Sequence, residues 1–136
     1  MEIFESKYAK VEYHTQHDQL EITWEGFAPS QGFREALLQV AAWLNDQRVS
    51  KWLINHQNSK IISPEDQQWV IHDWFGYLKE SSRCPDTIAV VNGMDYFGKL
   101  SVGNLSEAIS KTMGQEAFQI FGSRQDAAHW LQTSMY

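Results

Sequence analysis

Apolar and polar positions alternate twice near the start of the chain. Ala9, Val11 and Tyr13 fall on one side of an extended segment, and Lys10, Glu12 and His14 on the other. Leu20, Ile22 and Trp24 repeat the pattern against Glu21, Thr23 and Glu25, with the polar link His17-Asp18-Gln19 between the two runs. Period-two alternation broken by a short polar link predicts an antiparallel hairpin with one wet face. After the breaker Phe27-Ala28-Pro29 the period lengthens. Phe33, Leu37, Val40, Ala41 and Leu44 recur at helical spacing, with Ser30 as the cap and an end near Gln47 to Val49.

The later pattern has a different texture. Lys51 to Asn55 and Thr87 to Val91 read as short strands, and their centres, Trp52–Ile54 and Ile88–Val91, are apolar at every position. Such strands belong in a parallel sheet covered on both faces. Between them Ser63 opens a helix carrying Val70, Ile71, Trp74, Phe75 and Leu78 on one side. A third helix runs from about Ser101 to Gly114, with Leu105, Ala108, Ile109 and Met113 inward. Ala117 to Phe121 is the last strand, and Ser123 caps a final helix with Ala127, Trp130 and Leu131. Right-handed crossovers would coil the later strands into one sheet. The expected fold is α/β: one domain over residues 1–136, a mixed five-stranded sheet with an N-terminal hairpin, and four helices covering both faces.

Composition narrows the function classes. With 17 acidic and 11 basic residues the formal charge is −6, which disfavours nucleic acid and anionic membrane surfaces as partners. No apolar run approaches the roughly 18 residues needed to span a bilayer, so membrane insertion is not expected. The acidic start Met1-Glu2-Ile3-Phe4-Glu5 lacks the apolar core of a signal peptide, which points to the cytoplasm. Cys84 is the one cysteine, so neither an intrachain disulfide nor a cysteine zinc site is expected. The histidines have no metal-ligand spacing: His14 and His17 need not share a face, and His72 has no second ligand one turn on. No phosphate-loop, dinucleotide or nucleophile-elbow motif is present, so no cofactor and no catalytic constellation is expected.

Two places remain as candidates. Ser63-Pro64-Glu65-Asp66 has serine at the cap, proline at the first helical position and acids in the first turn, a full helix-start signal. A phosphate on Ser63 would meet free backbone N–H groups, but Glu65 and Asp66 would repel it. The second place is the loop after the interior strand at 87–91, where open α/β sheets bind ligands. There Tyr96 and Phe97 are expected either to wall a small apolar pocket, with Asp95 and Lys99 as polar handles, or to close the end of the core. Asn55, His56 and Asn58 are expected to leave the preceding strand at the same edge. Trp43 and Trp69, at the margins of their helix stripes, are candidates for a self-association patch and hence a homodimer.

Four stretches, "LEITWEGF", "KWLINHQNSKIISPEDQQW", "YFGKLSVGNL" and "DAAHWLQ", resemble the SpoIIAA-like group of bacterial proteins and, more broadly, the STAS fold of anti-anti-sigma factors. The resemblance implies a non-catalytic regulatory or protein-interaction module with an unidentified protein partner. It also implies a phospho-acceptor at the start of the helix after the third strand, where Ser63 stands. The SpoIIAA-like group is in turn similar to CRAL-TRIO lipid-binding domains in general architecture. That implies the alternative of a small apolar ligand at the carboxyl ends of the interior strands.

Overall fold

The computed structural model describes residues 1–133. Glu2–Glu5 (β1) is a strand the alternation does not announce, since Ile3 and Phe4 are its only apolar residues. It pairs antiparallel with Ala9–His14 (β2), Glu5 opposite Lys10. Strand β2 pairs antiparallel with Gln19–Gly26 (β3), from Ala9 opposite Trp24 to His14 opposite Gln19, which is the expected hairpin. The sheet therefore has six strands among the described residues rather than five.

Helix α1, Ser30–Leu44, stops at Asn45, short of the expected end. Ser30 is its first residue rather than its cap, because the hydroxyl donates instead to Asp66 Oδ2 at 2.9 Å. Strand β4, Lys51–Ser59, lies parallel to β3 and to β5, Thr87–Val91, with Leu53 opposite Ala89. The helical run after Ser63 is continuous but not uniform: α2, Pro64–Gln68, passes through a π-helical stretch, Trp69–Trp74, into α3, Phe75–Glu80. After β5 come α4, Tyr96–Met113, a short 3-10 turn, the parallel strand β6, Phe118–Phe121, and α5, Arg124–Thr133. Four helical rods thus match the expected four.

Strand order follows chain order, β1 to β6. Right-handed crossovers that always step the same way must place their helices on the same face. Accordingly α1, the α2–α3 rod and α4 share one core with Val11, Leu20, Ile22, Trp52 and Ile88. Trp74 closes the seam to α1, its indole N–H donating to Leu37 O at 2.6 Å. On the opposite face, among the described residues, α5 alone packs, its Ala127 and Leu131 on Leu53, Ala89 and Val91.

Over its described residues that helix packs on β4, β5 and β6 rather than on β2 and β3. Their outer face stays polar, as the alternation predicts, but it is not wet throughout. Glu21 and Gln19 are only 4% and 2% exposed, because Arg124 at the start of α5 folds over Glu21.

Leu131→Ala empties a fully buried position in the small core under α5. It should destabilise the protein by about 2–5 kcal/mol, read from the urea midpoint at an unchanged slope.

Candidate functional site

The carboxyl ends of β3, β4 and β5 meet at one edge of the sheet. A bulge between Thr23 and Glu25 lets β3 stay paired with β4 to its end, Glu25 opposite Asn58 and Gly26 opposite Ser59. Asn55, His56 and Asn58 therefore continue the strand rather than leave it. Asn55 is buried and its Oδ1 accepts from the Gln57 N–H at 2.9 Å. Asn58 is exposed and its amide donates to Glu25 Oε1 at 3.3 Å.

His56 is 5% exposed, with its ring nearly parallel to that of Trp24 and 6.2 Å away. Its Nδ1 lies 3.1 Å from the Ser59 hydroxyl, which itself donates to the His56 carbonyl at 3.1 Å. The hydroxyl has one proton, so the ring N–H is the donor to Oγ. Ser59 is thus a strand-end brace rather than an activated nucleophile. Burial lowers the His56 pKa to about 4, so the ring is neutral near pH 7.

The next loop folds back against this strand end. A Cβ on Gly93 would lie 2.5 Å from His56 O and 2.7 Å from Gln57 O, so only glycine fits there. Asp95 then caps α4, its carboxylate accepting from the Gly98 N–H at 2.8 Å. The helix consequently begins at Tyr96, five residues ahead of the expected Ser101. Tyr96 and Phe97 do not close the core. They are 69% and 61% exposed, edge to face, with ring centroids 5.3 Å apart. Lys99 is exposed beside them, and Lys60 Nζ lies 3.6 Å from Asp95 Oδ1.

Four residues that sequence reasoning missed share this edge. Phe27, Ile61, Met94 and Leu100 are 55%, 42%, 93% and 49% exposed. The available signal was the place of Phe27, Ile61 and Met94 after the ends of three neighbouring strands and of Leu100 off the α4 stripe. Beneath them the void bounded by Trp24, Phe33, His56 and Ile62 measures about 10 Å³, room for about one water. The void between Trp52, Trp74, Val102 and Phe118 measures about 40 Å³, far below a lipid-like ligand.

Ser63 sits at the flank of this edge. Its Oγ accepts from the Asp66 N–H at 3.1 Å, the cap bond expected from the sequence. Asp66 is buried and partnered: Ser30 Oγ and Arg34 Nε each donate to its carboxylate at 2.9 Å. Arg34 in turn lies over the Trp69 ring, 5.1 Å from its centroid. The Ile62 N–H donates to Ser101 Oγ at 3.1 Å, which couples the helix start to α4. Trp43 and Trp69 are both half-buried and lie apart: Trp43 packs on Tyr13, and Trp69 lines a groove with Leu38 and Tyr77.

The buried His56 makes stability depend on pH. The unfolded chain binds this proton near pH 6.5 and the folded chain near 4, so stability rises with pH across that window. On the order of 3 kcal/mol should be lost as pH falls from 6.5 to 4. Denaturant midpoints for His56→Gln should show a flatter slope in that window than wild type.

No protein-family model matches the chain, and no curated protein matches it. Among solved structures, it is similar to a chain of the crystal structure of the diguanylate cyclase SiaD in complex with its activator SiaC from Pseudomonas aeruginosa. The TM-score is 0.47 at 15% identity, over 89% of this chain and 99% of that one.

Proposed function

We propose that this chain is a non-catalytic, cytoplasmic interaction module of STAS type that binds a protein partner through the carboxyl edge of its parallel strands. The observation that carries the reading is that Phe27, Ile61 and Met94, which follow the carboxyl ends of β3, β4 and β5, and Tyr96, Phe97 and Leu100, at the start of α4, are all exposed. Single exposed apolar side chains are ordinary on a soluble protein, but a contiguous group rimmed by polar residues marks an interaction surface. The rim here is Glu25, Asn58, Lys60, Asp95 and Lys99. Tyr and Phe bury large areas with few rotatable bonds, so Tyr96 and Phe97 suit the centre of such an interface. Their backbone is held by the Asp95 cap and by the close packing of Gly98 on Ser59 and Lys60, so docking needs little reordering.

Ser63 offers the regulatory handle. A phosphate on its oxygen would displace the cap bond to Asp66 and bring negative charge toward Glu65 and Asp66. The helix start is bonded to Ser101 of α4, so loosening it would disturb the helix that carries Tyr96 and Phe97.

The paired substitution Tyr96→Ser with Phe97→Ser should leave the circular dichroism spectrum and urea midpoint near wild type, since both side chains already face water. It should weaken partner capture at least tenfold. Equal capture of the same partner by both forms would remove this surface from consideration. Aspartate is itself a good helix cap, so Ser63→Asp should fold normally and still alter capture relative to Ser63→Ala, which should lose about 1 kcal/mol of stability.

A further inference from the structure

The other face of the sheet, at the amino end of the parallel strands, carries a second constellation. Glu12 stands opposite Glu21 and His14 opposite Gln19 in the register of β2 and β3. Partners in an antiparallel pair point the same way, so the four side chains form a square on the outer face. The ligand atoms of Glu12, His14 and Glu21 all lie within 4.8 Å of one another, and His14 Nε2 is 2.9 Å from Glu21 Oε1.

Two features set the square apart from an ordinary solvated face. Glu21 is 4% exposed, yet both of its carboxylate oxygens are engaged, Oε1 by His14 and Arg124 and Oε2 by Arg124. Gln19 is 2% exposed, faces the same groove as His14 and Arg124, and its Oε1 accepts no hydrogen bond among the described residues. A sealed amide oxygen without a donor is costly, and a metal ion satisfies it as well as a donor does.

Arg124 supplies the present balancing charge. Its Nε donates to Glu21 Oε2 at 2.7 Å and its Nη2 to Oε1 at 2.6 Å, while the side chain is 48% exposed. It can turn outward without crossing the core. We propose that Glu12, His14 and Glu21, with the amide oxygen of Gln19, form a divalent transition-metal site in which Arg124 is the resident cation that the metal displaces. One imidazole, two carboxylates and an amide oxygen suit Zn²⁺ or Mn²⁺, and the imidazole disfavours Mg²⁺. Arg124 is the first residue of α5, so occupancy frees that end of the helix from the sheet. The spacing of the histidines along the chain does not reveal this site, because its ligands come from two strands brought together by register.

Calorimetric titration with Zn²⁺, with Mg²⁺ as the control ion, tests the assignment. Wild type should take up one Zn²⁺ per chain and ignore Mg²⁺ at the same concentration. His14→Ala and Glu12→Gln should each weaken binding at least tenfold, and neither touches the apolar core. Arg124→Gln should bind about tenfold more tightly, because the competing cation is gone. Hydrogen exchange at the first turn of α5 should speed up when Zn²⁺ is added to wild type. Absence of Zn²⁺ uptake by wild type, or uptake equally strong in His14→Ala and Glu12→Gln, overturns the proposal.

Discussion

The parallel pairing of β4 with β5 is the constraint from which the rest of the molecule follows. Trp52, Leu53, Ile88, Ala89, Val90 and Val91 leave no polar side at the middle of this pairing, so both faces of the sheet centre must be covered. Parallel neighbours need crossovers, and crossovers of one hand stepping one way stack their helices on a single face. Three helical rods therefore compete for one side, and the other side is left to whatever follows β6. Helix α5 fills that role over β4, β5 and β6. Over its described residues, Arg124–Thr133, it packs on those strands rather than on β2 and β3. The polar square around Glu21 exists because the cover runs out there.

Most of this was legible in the residues, for a physical reason. Period two in β2 and β3 and unbroken apolarity in β4 and β5 come directly from how many faces each strand buries. Pairing of segments 51–55 and 87–91 in parallel matches that expectation. What failed was local and had local causes. Strand β1 is four residues long with two adjacent apolar side chains, so it has no period to read. The end of β4 was hidden because Asn55 to Asn58 are polar residues kept in the sheet by a bulge in the neighbouring strand. Ser30 looked like a cap, but its hydroxyl found a buried carboxylate thirty-six positions away.

The start of α4 shows why functional edges are harder to read than cores. Helix periodicity reports the buried stripe, here Val102 and Ile109, and is silent about residues that face water. Tyr96, Phe97 and Leu100 are apolar and off the stripe, so they blur the pattern where the helix begins. Gly98 blurs it further, although it is demanded by contact with Ser59 and Lys60, each 3.1 Å from where a Cβ would stand. The cap Asp95 was the one local signal for the true start. Seven of the eight candidate positions do gather near one edge, Asn55 to Asn58 and Asp95 to Lys99, but they divide by depth. Asn55 and His56 are structural and buried, while Asn58, Tyr96, Phe97 and Lys99 are available to a partner.

The two surfaces differ in what holds them, and that difference bears on how they could respond to ligands. At the carboxyl edge the backbone is braced by the Asp95 cap, the His56–Ser59 hydrogen bonds and close glycine contacts spread over several elements. At the amino end the start of α5 is tied down by one guanidinium–carboxylate pair with a buried acid and a half-exposed base. Removing the base leaves the acid in a low-dielectric setting with His14 as its remaining partner, so the pair is strong only while both members stay. A tie of that kind exchanges one cation for another more readily than it breaks. Rigid presentation at one end and an exchangeable clamp at the other therefore follow from the same cause, the unequal covering of a singly wound sheet.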